Sequence, residues 1–163
     1  MPDPPVYKPR DIPAISMAQQ ATVAYAELNC KTNFSFLQGA SHPDELVNRA
    51  GKLGYRALAI TDHNSLAGVV RAHGQAKKTG LKLLIGTEIT PQDAPPLVLL
   101  ATDRKAYGRL SRLLTAGKIK APKGECHILL EDVAGHSEGL IAAVVGPATA
   151  DELCRYREVF RER

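Results

Sequence analysis

Polar side chains that could bind a divalent cation follow two of the predicted strands. Asp62 and His63 come directly after the apolar run 57–61, and Glu88 follows the run 81–85. Functional side chains gather at the carboxyl ends of parallel strands, and carboxylate together with imidazole ligands suits zinc or manganese. The three residues together make a candidate metal site, although each alone would more often be a helix cap or a surface residue.

Two further polar residues, Asn29 and Lys31, end the first predicted strand. Side chains two positions apart on a strand share one face of the sheet. We therefore expect both side chains to point into the same pocket as Asp62, His63 and Glu88, so that five polar positions converge.

The composition is that of one globular domain. The chain has 163 residues, of which 44% are hydrophobic and 23% are charged, enough for a single domain with its own core. No apolar run approaches the roughly 20 residues of a membrane span. Five prolines among residues 1–24 predict a disordered leader with no signal peptide. Three cysteines without a zinc-binding spacing favour a reducing, cytoplasmic location.

The positive charge of the chain is concentrated in one segment. The net charge is +4, whereas residues 102–123 hold seven cations against Asp103, a local excess of +6. This basic stripe could bind a phosphate backbone weakly and without sequence preference, or it could be a solvated helix face and loop. Its members are Arg104, Lys105, Arg109, Arg112, Lys118, Lys120 and Lys123.

Apolar runs alternate with helical periodicity along the chain. Helices are predicted after the first, second, fourth and fifth runs, which indicates an α/β fold of parallel βα units. These units fit either an open sheet or part of a barrel, and a complete (β/α) barrel takes about 250 residues. A barrel would thus be incomplete here, and its last edge strand would favour association. The predicted strands are 24–30, 57–61, 81–85, 97–101 and 140–145.

Four segments carry a family resemblance, the first two of them specific and the others supportive. They resemble the PHP (polymerase and histidinol phosphatase) domain at the amino terminus of bacterial DNA polymerase III alpha subunits, most closely in the error-prone DNA polymerase branch. The resemblance implies the first part of a PHP-type (β/α) barrel, as a PHP-like domain at 25–163. The segments are TNFSFLQGAS at 32–41, TDHNSLAG at 61–68, GLKLLIGTEIT at 80–90 and ATDRKAYGRL at 101–110.

The resemblance also implies that the metal site is degenerate. In active members of the family a His-x-His pair on the first strand binds metal, and those positions hold Asn29 and Lys31 here. The family's later Asp-His pair matches Asp62 and His63 and its glutamate matches Glu88, whereas its further ligands on later strands find no match in this sequence. A lysine ammonium cannot coordinate a cation, but it would relieve the repulsion between metal-free carboxylates. We therefore expect Lys31 to form an ion pair with Asp62 or Glu88. We expect no bound cofactor, or a zinc or manganese ion if the site is active.

By this resemblance, the chain is the PHP region of an error-prone, DNA polymerase III alpha-like DNA-directed DNA polymerase that acts in replication and damage-tolerant repair. The chain alone would be a non-catalytic scaffold, because the catalytic aspartates of such polymerases lie in a later palm domain. Its partners would be the remaining polymerase domains or replication and repair proteins, with weak DNA binding and no membrane. The alternatives are a metal-dependent phosphoesterase with a reduced ligand set and a stand-alone nucleic-acid-binding module that uses the basic stripe.

Overall fold

The computed structural model describes residues 24–161 of the 163-residue chain. The predicted leader, apart from Ala24, lies outside the described residues. The described part forms one five-stranded sheet with five helices. In chain order the elements are β1 (Ala26–Cys30), α1 (Pro43–Lys52), β2 (Ala57–Ile60), α2 (Val69–Thr79), β3 (Lys82–Ile89), β4 (Leu97–Ala101), α3 (Arg104–Ile119), α4 (Leu130–His136), β5 (Leu140–Val144) and α5 (Ala150–Val159).

The strands lie side by side in chain order from β1 to β5. β1, β2 and β3 are parallel and are connected through α1 and α2, which confirms the predicted α/β fold of βα units. The prediction that all strands are parallel is wrong for β4, which runs antiparallel to both β3 and β5. The reason is the short connection at 90–96, because a parallel crossover needs a dozen or more residues.

Two apolar cores hold the helices on the sheet. In the first, α1 and α2 pack over β2 through Val47, Ile60 and Ala72, and all four residues of β2 are buried, as expected for a strand covered on both sides. The second joins the antiparallel half of the sheet to the later helices. Its fully buried members include Ile89, Leu97, Leu99, Leu110, Leu113, Val133 and Leu140.

The sheet has β1 and β5 as its edges within residues 24–161. Leu28 on β1 and Ile141 on β5 are each about half exposed. Edge strands with exposed apolar side chains favour association, which stays a prediction for this chain. None of the described helices is long and apolar enough to cross a membrane.

Candidate functional site: a carboxylate paired with lysine

The candidate site lies where β1 and β2 end against β3. Lys31 directly follows β1, and Asp62 and His63 come two and three residues after β2. Glu88 lies inside β3 and not after it, because residues 85–89 continue the strand by pairing with β4. The backbone fixes Glu88 against the end of β2, since its N–H donates to Asp62 O at 3.2 Å.

The Glu88 carboxylate is the centre of the site. Lys31 Nζ donates to Oε1 at 2.7 Å, and Asn29 Nδ2 donates to Oε2 at 3.0 Å. The predicted ion pair of Lys31 is therefore confirmed with Glu88, whose side chain is only 10% exposed. Burial raises the pKa of the Glu88 carboxyl, but the hydrogen bonds from Lys31 and Asn29, together with nearby positive charge, leave this pKa below its ordinary value.

Asn29 connects three strands through its two amide atoms. Thr61 Oγ1 donates to Asn29 Oδ1 at 2.7 Å, while Asn29 Nδ2 donates to Glu88. The amide therefore accepts from the end of β2 and donates to β3, which uses both ends of the group as their chemistry requires. The first-strand pair Asn29 and Lys31 is thus fully engaged in holding one carboxylate.

Asp62 faces the loop between β1 and α1, and within the described residues no hydrogen bond or ion pair joins its carboxylate to Lys31. Its buried carboxylate accepts hydrogen bonds from Thr32 N at 2.7 Å, from Thr32 Oγ1 at 2.9 and 3.0 Å, and from Ser35 Oγ at 2.7 Å. Gly68 leaves the room that this arrangement needs, because a Cβ at that position would lie 2.6 Å from Asp62 Oδ2. Sequence reasoning missed Thr32 and Ser35, although both lie in the specific segment 32–41.

His63 is oriented by its neighbours. Its Nε2 lies 3.0 Å from Asn64 Nδ2. Nδ1 is buried without a hydrogen-bond partner in the described part of the chain and lies 4.0 Å from Glu88 Oε1. Asn64 has a φ of 48°, a left-handed conformation that polar Asn tolerates better than most residues.

The side chains present do not fit a divalent cation. An ammonium occupies the space beside Glu88 Oε1, and the Asp62 carboxylate is taken up by the donors of Thr32 and Ser35. Across residues 24–161, no group of three or more His, Cys, Asp or Glu side chains is placed to hold a metal ion. A role for Asp62, His63 and Glu88 as metal ligands remains a prediction that only a binding measurement can test.

The members of the basic stripe differ in whether they are ion-paired. Arg109 forms an ion pair with Glu138, and Lys120 forms one with Asp132. Lys118 lines an open cleft of about 480 Å³ together with His63. The other members, Arg104, Lys105, Arg112 and Lys123, are exposed, and no ion pair is found for them within the described residues. Two of the seven cations are thus already held in ion pairs, and the role of the basic stripe in nucleic-acid binding stays a prediction.

Comparison with known proteins shows the family of the chain. A sequence profile of the PHP domain matches residues 27–161. The chain belongs to the PHP domain family. It is 55% identical over 121 residues to an error-prone DNA polymerase of Rhodopirellula baltica, a match of 74% of this chain and 11% of the polymerase. The PHP domain chain is also 57% identical over 125 residues to an error-prone DNA polymerase of Aromatoleum aromaticum, 76% of this chain and 12% of that protein.

The PHP domain chain thus spans about a ninth to an eighth of the length of these relatives. Its fold is also similar to that of an amidohydrolase from Chromobacterium violaceum, solved with bound SO4 and no metal. The TM-score is 0.59 at 19% identity, covering 85% of this chain and 74% of the amidohydrolase. This likeness supports the fold, since it extends over most of both chains.

Proposed function

We propose that this PHP domain is a region of an error-prone DNA polymerase and serves there as a non-catalytic scaffold. The observation that carries the scaffold role is the Lys31 ammonium at 2.7 Å from Glu88 Oε1. The identity of 55% and 57% to two error-prone DNA polymerases supports the polymerase context. The nucleotidyl transfer of such a polymerase, in replication and in repair of damaged DNA in the cytoplasm, would be carried out by other parts of its chain.

A scaffold needs the geometry of the family's metal site but not the reactivity of a bound metal ion. A cation neutralises facing carboxylates and holds the strand ends together, and it also supplies Lewis-acid chemistry. Lys31 supplies the positive charge and a directional hydrogen bond to Glu88, but it has no orbital to accept an oxygen ligand. A lysine in place of the metal ion therefore keeps the strand ends together but cannot activate water.

The phosphoesterase alternative lacks such support. It would require a cation next to Glu88, where the ammonium of Lys31 already lies. A cation bound to Glu88 and the neighbouring Lys31 ammonium would have the same sign of charge and would repel each other strongly in a partly buried site. Weak, sequence-independent contact with DNA through exposed members of the basic stripe is compatible with the scaffold role and forms part of the proposal.

Calorimetry with Zn²⁺ and Mn²⁺ tests the non-catalytic part. We expect no tight one-to-one binding by the wild-type chain and no metal-dependent hydrolysis of a phosphodiester substrate. A Glu88→Gln variant is the matched control, because it removes the carboxylate while keeping the size of the side chain. Tight stoichiometric binding that is lost in Glu88→Gln would refute the scaffold role.

A chimeric polymerase tests the polymerase context. In it, this chain replaces the matching 121-residue region of the Rhodopirellula baltica relative. We expect the chimera to extend a DNA primer at a rate close to that of the parent polymerase, and Lys31→Met to change its thermal stability more than its rate per folded molecule. A chimera that folds but cannot extend a primer would contradict the proposal.

A further inference from the structure

Two large apolar side chains are presented to solvent at the tip of the loop between β1 and α1. Phe36 is 83% exposed and Leu37 is 90% exposed, the highest values among the large hydrophobic residues of the described chain. We call this pair the apolar knob. Single exposed apolar residues are common on protein surfaces, but two adjacent ones at such exposure present an unusually open apolar surface.

The loop that carries the apolar knob is held in one conformation. Ser35, directly before the knob, donates its hydroxyl to the buried Asp62 carboxylate, and its carbonyl oxygen accepts from Gln38 N at 2.9 Å and Gly39 N at 3.0 Å. A Cβ on Gly39 would overlap the carbonyl oxygen of Thr32, so the chain folds back tightly behind the knob.

Leu37 itself has a φ of 62°, a left-handed conformation that costs a non-glycine residue free energy and persists only where its surroundings impose it. The loop thus uses the buried Asp62 and a strained backbone to hold apolar side chains in water. Nothing within residues 24–161 is gained by that exposure, which points to a contact outside them.

We propose that the apolar knob docks into an apolar pocket on another domain of the same error-prone polymerase. This inference rests on the proposed function. The relatives extend far beyond the matched region, which makes up only 11% and 12% of their lengths, so most of the polymerase surface lies outside this domain. Covalent linkage raises the effective concentration of the two surfaces, and a preorganised loop loses little conformational entropy on docking. Both effects lower the cost of docking, so that a contact of two side chains contributes to orienting the domain.

Hydroxyl-radical footprinting of unaltered proteins provides the first test. Oxidation of Phe36 and Leu37 is compared between the isolated 163-residue chain and the primer-extending chimera described above. We expect severalfold slower oxidation of both side chains in the chimera. Equal oxidation in the two proteins, with primer extension intact, would overturn the docking and leave the proposed function standing, whereas loss of primer extension in a folded chimera would contradict the proposed function itself.

Substitution of the apolar knob provides the second test. Phe36→Ser with Leu37→Ser should lower the melting temperature of the chimera but leave that of the isolated chain nearly unchanged. The matched control is Val70→Ser with Ile119→Ser, which removes two apolar side chains that are 75% and 79% exposed on α2 and α3. Equal effects of the two double variants on the chimera would overturn the proposal. So would sedimentation that shows the isolated chain to be a dimer dispersed by the knob variant, because the occupant would then be a second copy.

Discussion

The ammonium of Lys31 lies 2.7 Å from Glu88 Oε1 and ties the end of edge strand β1 to β3 across β2. Asn29, two residues earlier on the same face, donates to the other oxygen of that carboxylate. The two β1 side chains therefore hold Glu88 from one side, as a bound cation would.

Lys31→Met should destabilise the domain by about 2 kcal/mol. Removing one partner of a fully buried ion pair costs roughly 3–5 kcal/mol, and the Lys31 side chain is 24% exposed, which lowers the cost. The control is Lys120→Met, because Lys120 pairs with Asp132 but is 53% exposed, so its loss should cost at most about 1 kcal/mol. Urea unfolding of the two variants gives the comparison, and equal losses would contradict a special role for Lys31.

The pH dependence of stability should report the same ion pair. The pKa of Glu88 is lowered in the folded chain despite burial, because Lys31 and Asn29 hydrogen-bond its charged form. Its contribution to stability is therefore present above the unfolded pKa of about 4.3 and is lost as pH falls through the folded pKa.

In Lys31→Met, burial still raises the pKa of Glu88 and one opposing hydrogen bond is gone. The free energy of unfolding of this variant should therefore fall less than that of the wild type below about pH 4.5. Parallel urea titrations across this range measure the difference. Two pH profiles that are offset but otherwise identical would show that Lys31 does not set the titration of Glu88.

Asp62→Asn should destabilise the domain by about 3 kcal/mol, since hydrogen bonds to a buried charged group are worth roughly 1.5–3 kcal/mol each. The amide NH₂ would also face the donors of Thr32 and Ser35, which now bind carboxylate oxygens. Glu125→Gln is the control, because the 60% exposed Glu125 pairs only with His127 among the residues described. Thermal unfolding and amide exchange in segment 32–39 measure the effect, and unchanged exchange in Asp62→Asn would show that Asp62 does not fasten the loop.

The strand positions could be predicted from the apolar runs, and the shared face of Asn29 and Lys31 from the two-residue repeat of a strand. Charge alone predicted that Lys31 would form an ion pair with either Asp62 or Glu88, but not with which of the two. The orientation of Asp62 could not be predicted, since it depends on how the loop carrying Thr32 and Ser35 folds back onto β2. That is a tertiary contact with no local periodicity.

The direction of β4 is a different case. The predicted strands 81–85 and 97–101 leave a connection of eleven residues at 86–96, which is shorter than the dozen or more that a parallel crossover needs, so the sequence held the signal. The extension of β3 through Glu88 follows from pairing with that antiparallel strand. Helix α4, Leu130–His136, is too short for apolar periodicity to indicate it.

Gly39→Ala and Gly68→Ala should each destabilise the domain, whereas Gly74→Ala should stabilise it. A Cβ at Gly39 would overlap a backbone oxygen, and one at Gly68 would lie 2.6 Å from Asp62 Oδ2; such overpacking typically costs about 1–3 kcal/mol. Gly74 lies in α2 with no atom within 4 Å of its Cβ position, so alanine should add about 0.5–1 kcal/mol through helix propensity. Melting temperatures check the signs, and a stabilising Gly68→Ala would mean that the Asp62 site has room to spare.

Binding to duplex DNA should be weak, independent of sequence and carried by cations that are not already paired. Lys105 and Arg112 are exposed and lie two turns apart on α3, on one side of the helix. Arg109 and Lys120 are engaged with Glu138 and Asp132, so they would have to give up an ion pair before they could contact a phosphate. We therefore expect Lys105 and Arg112 to make most of the contacts with DNA.

Each cation that contacts a phosphate of B-DNA contributes about −0.9 to the slope of log K against log salt concentration. Lys105→Ala with Arg112→Ala should therefore flatten the slope by about 2 units in an anisotropy titration with labelled duplex, if both contact phosphates. Arg109→Ala with Lys120→Ala is the matched control, because it removes the same charge from the same segment and should change the slope much less. If both double variants bind with the wild-type slope, the basic stripe is a solvated surface. If the control flattens the slope more, the ion pairs to Glu138 and Asp132 open on DNA, and the exposed cations on α3 do not carry the contact.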